Sequence, residues 1–518
     1  MRSTVLAAAL IGVGLGACGQ PPAQQAATAP GIDCAGLASL AIPDTTIRTA
    51  ELVAAGAFEA PGPAFPGFAG DYSGLPAFCR VTGSIAPSAD SDIRFELWLP
   101  AQNWNGRFMQ TGNGGAAGSI VHFSLADPLT RGYAVANTDT GHQGGGGDFS
   151  WAVGHPEKLI DFQYRAVHEL TVAGKAITAA HYGRTPEKSY WVGCSTGGRQ
   201  GLKEAQRFPG DYDAIVAGAP ANNWSPLMSL SVVIQRNLGP GGLGIDKLGM
   251  LKEAAIAACD ARDGVTDRVI GEPGQCDFDP ASLQCGTGQS GQCLSPGEVA
   301  AAKRIYAGLV DGDGQVLIPG TGPGSEPAWA GYATPQFSIG TSYFRHVVTA
   351  DSEWDPASFD LDELARARQI GGAADAMDPD LSAFVARGGK LITYHGTADG
   401  LIPYGNSVNY YESVVATLGQ ALVDESVKLY LVPGMDHCAG GDGAFVVDWL
   451  TPLEEWVEQG RTPDALRAAH PAMMPGPPGA PPVASKAFTR PICPFPRIAR
   501  YRGSGDDTDA ASFECVAP

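Results

Sequence analysis

Short apolar runs that end in loop-forming residues recur along the chain and predict the strands of a core sheet. Four runs matter most, at residues 107–111, 189–192, 391–394 and 427–432. The second run is rich in aromatic and β-branched residues, as strands are, and residues 198–208 behind it have the pattern of a helix. Strands that alternate with helices in this way predict an α/β fold.

A glycine-rich turn joins the second predicted strand to the helix. It reads Gly193-Cys194-Ser195-Thr196-Gly197, which is a G-x-S-x-G motif. Between a strand and a helix this motif forms a nucleophile elbow, because small glycines allow a strained turn that lifts the serine hydroxyl clear of the sheet. The bare motif is common by chance, and it is this strand–turn–helix context that favours Ser195 as a nucleophile.

A serine hydroxyl needs a base within hydrogen-bond reach and a third group to orient that base. In hydrolases with this elbow the chain order is Ser, then Asp or Glu, then His. Asp399 follows the predicted strand at 391–394, and His437 follows the one at 427–432. An Asp after a strand often only caps a turn. Asp436 is the weaker candidate acid, because adjacent side chains rarely converge well.

Two cysteines flank the predicted nucleophile and base. Cys194 directly precedes Ser195, and Cys438 directly follows His437. A disulfide holds its two Cα atoms within about 4.4–6.8 Å. If these sulfurs are bonded, Ser195 and His437 come close together, as a catalytic pair requires.

Further motifs accompany this cysteine-linked triad: TDTGH at 138–142, DFQYRA at 161–166, YFR at 343–345 with WD at 354–355, and RPICP at 490–494. Together they resemble the tannase and feruloyl esterase family along nearly the whole mature chain. The resemblance implies hydrolysis of an aromatic carboxylic ester, and the fold that we expect is an α/β-hydrolase sheet with a large inserted lid. Feruloyl ester hydrolysis is expected first and galloyl ester hydrolysis next. Terephthalate monoester hydrolysis is a further alternative, because the family includes such enzymes.

The cysteine count favours complete pairing in an oxidising compartment. Of the eleven cysteines, setting Cys18 aside leaves ten. Connectivity does not follow from sequence alone. The family resemblance and local spacing suggest the triad bond Cys194–Cys438 together with Cys34–Cys79, Cys259–Cys276, Cys285–Cys293 and Cys493–Cys515.

Acyl transfer also needs donors for the oxyanion of the transition state. One is expected to be the backbone N–H of Thr196, directly after the nucleophile. The other is expected from the loop after the strand at 107–111, with Gly114 the first choice and Gly115 the second; that loop can equally be a flexible surface connection. His395 shares a loop with Asp399 and is expected to line the substrate pocket.

An acidic turn at residues 260–269 predicts a Ca²⁺ site. Carboxylates around a glycine supply hard oxygens, and backbone carbonyls complete a shell of six to eight ligands. The family resemblance implies the ligands Asp260, Asp263 and Asp267 with the carbonyls of Val265 and Val269. The alternative is a solvated acidic turn. The ion is expected to be structural, and no organic cofactor is expected.

The amino terminus predicts export. Residues 1–18 have the charged start, apolar middle and small-residue end of a secretory signal. Cys18 resembles a bacterial lipobox cysteine, which would be lipidated and anchor the protein to a membrane; plain cleavage is the rival. Residues 19–30 resemble a flexible tether. The expected location is therefore secreted, periplasmic or on the outer membrane of a bacterium.

The predicted triad divides the 518-residue chain. Residues 31–221 and 387–518 are expected to form the catalytic domain, and residues 222–386 a lid that contains the calcium loop. The lid would supply most of the acyl pocket. Its candidates for stacking on an aromatic acid, each of them more simply an ordinary core residue, are Trp329, Tyr343, Phe344 and Trp354. Its candidate cations for a second substrate carboxylate are Arg345 and Arg366.

The formal net charge of −20 argues against nucleic acid as a partner. The expected partner is the aromatic ester, and no protein partner is inferred. Two other classes fit the same residues: a secreted serine peptidase, and a calcium-stabilised binding protein with a degenerate active site.

Overall fold

The computed structural model describes residues 30–61, 71–239, 241–334, 337–474 and 482–518. The predicted signal, the lipidation site Cys18 and most of the tether lie outside these ranges. The strands are β1 Thr45–Val53, β2 Phe78–Ile85, β3 Ile93–Pro100, β4 Arg107–Thr111, β5 Ala134–Thr138, β6 Lys188–Cys194, β7 Ala214–Gly218, β8 Leu309–Val310, β9 Val316–Ile318, β10 Lys390–Gly396, β11 Val427–Val432, β12 Val446–Val447, β13 Leu466–His470, β14 Met473–Met474, β15 Val483–Ala484, β16 Phe488–Ile492, β17 Ile498–Tyr501 and β18 Phe513–Val516.

The α-helices are α1 Phe123–Thr130, α2 Pro156–Ile160, α3 Ala166–Tyr182, α4 Thr196–Arg207, α5 Trp224–Asn237, α6 Leu248–Cys259, α7 Pro296–Ala307, α8 Ile339–Tyr343, α9 Leu361–Gly371, α10 Ser382–Ala386, α11 Tyr404–Leu418, α12 Gln420–Ser426 and α13 Leu450–Gln459. Two π-helical turns, Asp161–Arg165 and Phe344–Val348, continue α2 and α8. Both lie in segments that carry the family motifs. No helix in the described residues is both long and apolar enough to cross a membrane.

A nine-stranded sheet in the order β1-β2-β3-β5-β4-β6-β7-β10-β11 organises the molecule. The neighbours from β1 to β5 are antiparallel, and those from β5 to β11 are parallel. The carboxyl ends of parallel strands meet at one edge of a sheet, which is where α/β proteins place their sites. The loops after β4, β6, β10 and β11 therefore converge there.

Alternating residues of the parallel strands build two cores, one on each face of the sheet. Trp191 and Leu391 pack with α3, α4 and α11 on one face. Their chain neighbours Tyr190 and Ile392 pack with α1 and α13 on the other. Because successive side chains of a strand point to opposite faces, burial on both faces explains why these strands are continuous apolar runs in the sequence.

The insertion between β7 and β10 has a core of its own, built around Trp224 and Trp329. Some residues on each side of the predicted lid boundaries, 222 and 386, pack into the core of the other part. Phe149 and Phe162, which precede β6, pack into the insertion core. Phe384, inside the predicted lid, packs against the sheet. The insertion is thus seated on the catalytic part through aromatic side chains exchanged between the two.

Five disulfides join the pairs suggested by the resemblance: Cys34–Cys79, Cys194–Cys438, Cys259–Cys276, Cys285–Cys293 and Cys493–Cys515. The last of them fastens β18 to the chain just after β16. Disulfides form and persist in oxidising compartments. This content indicates a protein that folds outside the reducing cytosol.

Candidate active site

Ser195 occupies the sharp turn between β6 and α4. Its backbone has φ 65° and ψ −124°, a strained conformation for a residue with a Cβ. The turn is held by the Ser195 N–H, which donates to the carbonyl of Gly218 at 2.9 Å. A Cβ on Gly193 would lie 2.6 Å from the backbone of Gly197. The flanking glycines are therefore required by close packing, as the elbow predicts.

His437 and Asp399 lie together after β11 and β10. His437 Nδ1 lies 2.7 Å from Asp399 Oδ2. The other carboxylate oxygen, Oδ1, accepts the N–H groups of Leu401 and Ile402, both at 2.9 Å. A donor bond at Nδ1 fixes the tautomer and leaves Nε2 as the nitrogen that can accept a proton. The imidazole is thus oriented by a carboxylate that is itself immobilised.

The charges of the pair support each other. Burial by itself raises the pKa of Asp399, but the charge of His437 and hydrogen bonds from His395 and His437 outweigh it, so this pKa lies well below its usual range. Burial likewise lowers the pKa of His437, but the charge and hydrogen bond of Asp399 prevail and raise it above 6.5. Asp399 is therefore ionised, and His437 is a stronger base than a free imidazole.

The disulfide Cys194–Cys438 ties the elbow to the histidine loop. Its Cα atoms are 6.0 Å apart, and it joins positions separated by 244 residues. One half directly precedes Ser195 and the other directly follows His437. The bond therefore holds the serine and histidine loops side by side at the carboxyl edge of the sheet.

The two predicted oxyanion donors lie on adjacent backbone segments. Thr196 is the first residue of α4, so its N–H has no partner within the helix. Its hydroxyl donates to the carbonyl of Gly115 at 2.6 Å, which draws the glycine loop against the elbow. A Cβ on Gly114 would meet nothing within 4 Å, whereas one on Gly115 would strike Gly146. Gly114 thus faces open space beside the elbow.

An Asn–Gln clamp that sequence reasoning missed holds this loop in place. The N–H of Asn113 donates to Gln200 Oε1 at 3.1 Å, and Gln200 Nε2 donates to Asn113 Oδ1 at 3.1 Å. Asn113 Nδ2 also donates to the carbonyl of Thr138 at 2.7 Å. The clamp couples the glycine loop to α4. An asparagine inside a glycine loop was the one available signal, and nothing local connects it to a glutamine 87 positions away.

The expectation that His395 lines the substrate pocket was wrong. Its side chain has no exposed surface and lies 3.3 Å from Asp399 Oδ2. Its Nδ1 lies 2.8 Å from Ser407 Oγ, and its Nε2 lies 2.9 Å from the carbonyl of Ile402. His395 belongs to β10 itself and is fully buried beside Asp399, so it does not face a substrate.

The structure also places the other candidates from the sequence: Asp436, the four aromatic residues and the two arginines. His437 has Asp399 as its carboxylate partner, and burial raises the pKa of Asp436 to about 6. The four candidate stacking residues Trp329, Tyr343, Phe344 and Trp354 are all buried in the insertion core, as the simpler interpretation expects. Arg345 Nε donates to the Trp354 carbonyl at 2.9 Å, and Arg366 is exposed on α9.

The acidic loop after α6 gathers buried carboxylates. Asp260 Oδ1 accepts the N–H of Asp267 at 3.1 Å, and Asp263 Oδ1 accepts that of Val265 at 3.0 Å. Asp267 forms an ion pair with Arg490. Burial, and then the charges of Asp267 and Asp260, raise the pKa of Asp263 to about 6. Crowded, partly desolvated carboxylate oxygens of this kind suit a hard divalent cation.

The sheet order, the strained serine elbow, and an Asp–His pair on later loops define an α/β-hydrolase. The chain belongs to the tannase and feruloyl esterase family, whose model matches residues 79–516. It is a carboxylic ester hydrolase of that family, so the predicted recognition and fold class are confirmed.

Its similarity to named proteins spans most of each chain. It is 36% identical to a probable feruloyl esterase B-2 of Aspergillus terreus, over 85% of this chain and 86% of that one. It is 34% identical to the mono(2-hydroxyethyl) terephthalate hydrolase of Piscinibacter sakaiensis, over 86% and 85%. The crystal structure of feruloyl esterase B from Aspergillus oryzae superposes with a TM-score of 0.84 at 31% identity, covering 92% of this chain and 98% of that one.

Proposed function

We propose that this protein hydrolyses aromatic carboxylic esters through an acyl-enzyme, with Ser195 as nucleophile, His437 as base and Asp399 as the group that orients the base. One observation carries the proposal. His437 Nδ1 lies 2.7 Å from Asp399, and the residue after His437, Cys438, is disulfide-bonded to Cys194, the residue before Ser195. Packing alone does not require a covalent bond at that place.

In the first half-reaction Ser195 Oγ attacks the ester carbonyl carbon while His437 Nε2 takes its proton. The carbonyl oxygen becomes an oxyanion, which accepts the N–H groups of Thr196 and Gly114. The tetrahedral intermediate collapses, the C–O bond breaks, and the alcohol leaves with the proton from His437. In the second half-reaction water attacks the acyl-enzyme by the same route, and the free acid departs as Ser195 regains its proton.

The acyl group we favour is feruloyl or a related hydroxycinnamoyl group. Relatives named as feruloyl esterases match most of this chain and support that choice. A terephthalate monoester carries a second carboxylate and calls for a free cation. Arg345 Nε donates to the Trp354 carbonyl and Arg366 is exposed on α9; among the described residues no hydrogen bond or ion pair ties either arginine to the triad loops, so we rank terephthalate below ferulate. Galloyl esters remain the second candidate.

We also propose that the acidic loop holds a structural Ca²⁺ through Asp260, Asp263 and Asp267 and the carbonyls of Val265 and Val269. When bound, the ion would neutralise the crowded carboxylates. The loop also contacts the C-terminal region through the ion pair of Asp267 with Arg490. A loop locked there would fasten the insertion to the end of the chain.

Export is part of the proposal. The five disulfides of the described residues support export, because disulfides persist mainly in oxidising compartments. Residues 1–18 would direct secretion, and lipidation of Cys18 would retain the enzyme at a bacterial membrane. Mass spectrometry of the mature N-terminus distinguishes a lipidated Cys18 from a plainly cleaved chain.

A turnover panel tests the activity: methyl ferulate, methyl gallate and mono(2-hydroxyethyl) terephthalate, with Ser195→Ala as the matched control. We expect the largest kcat/KM on methyl ferulate and no measurable turnover in the variant. Preference for another ester would overturn the feruloyl assignment alone. Full activity of Ser195→Ala would overturn the mechanism. Release of p-nitroanilide from peptides without ester turnover would indicate a peptidase.

A further inference from the structure

A second cluster of chemically active side chains lies away from the triad, at the far end of α4. His168 on α3, Glu204 on α4 and Asp211 in the loop before β7 each offer a ligand atom, and these atoms lie within 4.8 Å of one another. Glu204 is nine residues beyond Ser195, roughly 13 Å along the helix at 1.5 Å per residue. The cluster is therefore separate from the proposed catalytic site.

Glu204 is the unusual member of the cluster. Its side chain is only 1% exposed, and its Oε2 has no hydrogen-bond partner within the part of the chain that the structure describes. A buried polar group without a partner is costly, so buried carboxylates are normally paired or bound to a metal. The ligand atom of Glu204 lies within 4.8 Å of those of His168 and Asp211, and the charge of Asp211 acts on this buried carboxyl, so a cation among the three side chains would relieve the repulsion.

The other two side chains are in direct contact, and a metal ion would take the place of the proton between them. His168 Nδ1 lies 2.6 Å from Asp211 Oδ2, and the two side chains are 29% and 14% exposed. The imidazole is held flat against Phe208, with ring centroids 3.9 Å apart. This contact fixes the ring plane without occupying Nδ1. The partial exposure gives an ion a path to the buried Glu204.

Lys175, close to the cluster, makes its hydrogen bond to the main chain. Lys175 Nζ donates to the main-chain carbonyl of Asp211, not to its side chain. No hydrogen bond or ion pair joins this ammonium group to Glu204 among the described residues. The charges of Asp211 and Glu204 still act on Lys175 through space, but the hydrogen bond of this ammonium group goes to the main chain.

We propose that His168, Glu204 and Asp211 bind a divalent transition metal, with Zn²⁺ as the ion of choice. One imidazole nitrogen with two carboxylate oxygens is a borderline donor set, which suits Zn²⁺ better than the all-oxygen shell of Ca²⁺. Ligands about 2.0–2.2 Å from one ion are at most about 4.4 Å apart. Shifts of a few tenths of an ångström at each side chain would close the site around the metal.

The bound ion would join α3 to the C-terminal end of α4, the helix that begins at the nucleophile. Its effect is on stability and not on the chemistry of ester hydrolysis. The site would remain even if the proposed esterase activity failed, so the two proposals are tested independently.

Isothermal titration with ZnCl₂ tests the site in the full-length mature protein, saturated with Ca²⁺ so that the acidic loop is occupied. We expect one equivalent to bind, and Zn²⁺ to raise the melting temperature as any ligand of the folded state does. Loss of even an outer-shell partner typically costs about 10–100-fold in metal affinity. Glu204→Gln, which keeps the side-chain shape, should weaken Zn²⁺ binding at least as much.

The matched control is His155→Ala. His155 Nδ1 lies 2.7 Å from Asp90 Oδ1 at the surface. This pair reproduces the His–Asp contact of the proposed site but does not belong to a three-residue metal cluster among the described residues. Its loss should leave Zn²⁺ affinity unchanged. His168→Gln provides a second disabling variant should Glu204→Gln fold poorly. Equal Zn²⁺ affinity in the wild type and the disabling variants, or equal loss in His155→Ala, would overturn the proposal.

Discussion

Asp399 and the acidic loop at residues 260–269 bury carboxylates in opposite ways. Both oxygens of Asp399 are engaged by groups of the chain: His437 on one, and the N–H groups of Leu401 and Ile402 on the other. Its pKa lies well below the usual range. In the loop, carboxylates crowd each other, and the pKa of Asp263 is raised to about 6. The first region supplies its own counter-charge, whereas in the second one ion pair, Asp267 with Arg490, serves three carboxylates, and we propose that a cation supplies the rest.

Removing the charge of Asp399 is expected to have the largest effect on activity. Asp399→Asn keeps the size of the side chain but favours the wrong tautomer of His437, and we expect kcat to fall about 10⁴-fold, as in other triads. The charge of Asp399 raises the pKa of His437. The pH at which kcat/KM reaches half its plateau should therefore move to lower pH in the variant. Stopped-flow kinetics across pH 5–9 checks both effects, and an unshifted pH profile would contradict the coupling.

Breaking the triad disulfide tests how far the first region depends on its covalent tie. Cys194→Ala with Cys438→Ala should lower kcat about 100-fold, because a misplacement near 1 Å can cost that much. The control is Cys285→Ala with Cys293→Ala, which opens a bond within the insertion spanning 8 residues. That variant should retain wild-type kcat. Circular dichroism confirms folding of both, and equal activities would show that the triad bond is dispensable.

Chelation probes the second region. Asp263 has a folded-state pKa of about 6, raised from 3.8. Without the cation, its contribution to stability is therefore full below pH 3.8 and is lost as the pH rises through 6. EGTA should lower the melting temperature by a few degrees at pH 7.5, and this Ca²⁺-dependent difference should shrink toward pH 5. Calorimetry at the two pH values measures it. Asp263→Asn should abolish the difference, and an EGTA effect independent of pH would contradict the assignment.

Replacing Asp436, the other carboxylate beside His437, is expected to have the smallest effect on kcat. It is adjacent to His437, yet the imidazole bonds to Asp399. Asp436→Asn should therefore change kcat less than about twofold, within the range of substitutions that remove no specific interaction. Steady-state kinetics beside Asp399→Asn provides the measurement. A loss approaching that of Asp399→Asn would transfer the orienting role to Asp436.

The strand–turn–helix around Ser195 could be predicted from the sequence because its signals are local: apolar runs, flanking glycines and a helical pattern. β11 occupies the predicted residues 427–432, and the predicted core strand at 391–394 lies within β10, Lys390–Gly396. The surroundings of the site were harder to predict from the sequence. His395 was misplaced because β10 extends to Gly396, so this residue belongs to a strand buried on both faces and not to the loop that carries Asp399. The clamp of Asn113 with Gln200 depends on contacts between distant positions, which no local pattern records.

The disulfide beside the triad also bears on how such enzymes diversify. Cys194 and Cys438 are 244 positions apart, and the whole insertion lies between them. Their bond holds Ser195 and His437 close together whatever the sequence of the insertion. The insertion is expected from the sequence to supply most of the acyl pocket, so evolution could rebuild that pocket while the reactive pair is inherited unchanged. A chimera that carries a relative's insertion should keep turnover of a small unselective ester while its preference among aromatic acids changes. Loss of all turnover in a folded chimera would show that the insertion also positions the pair.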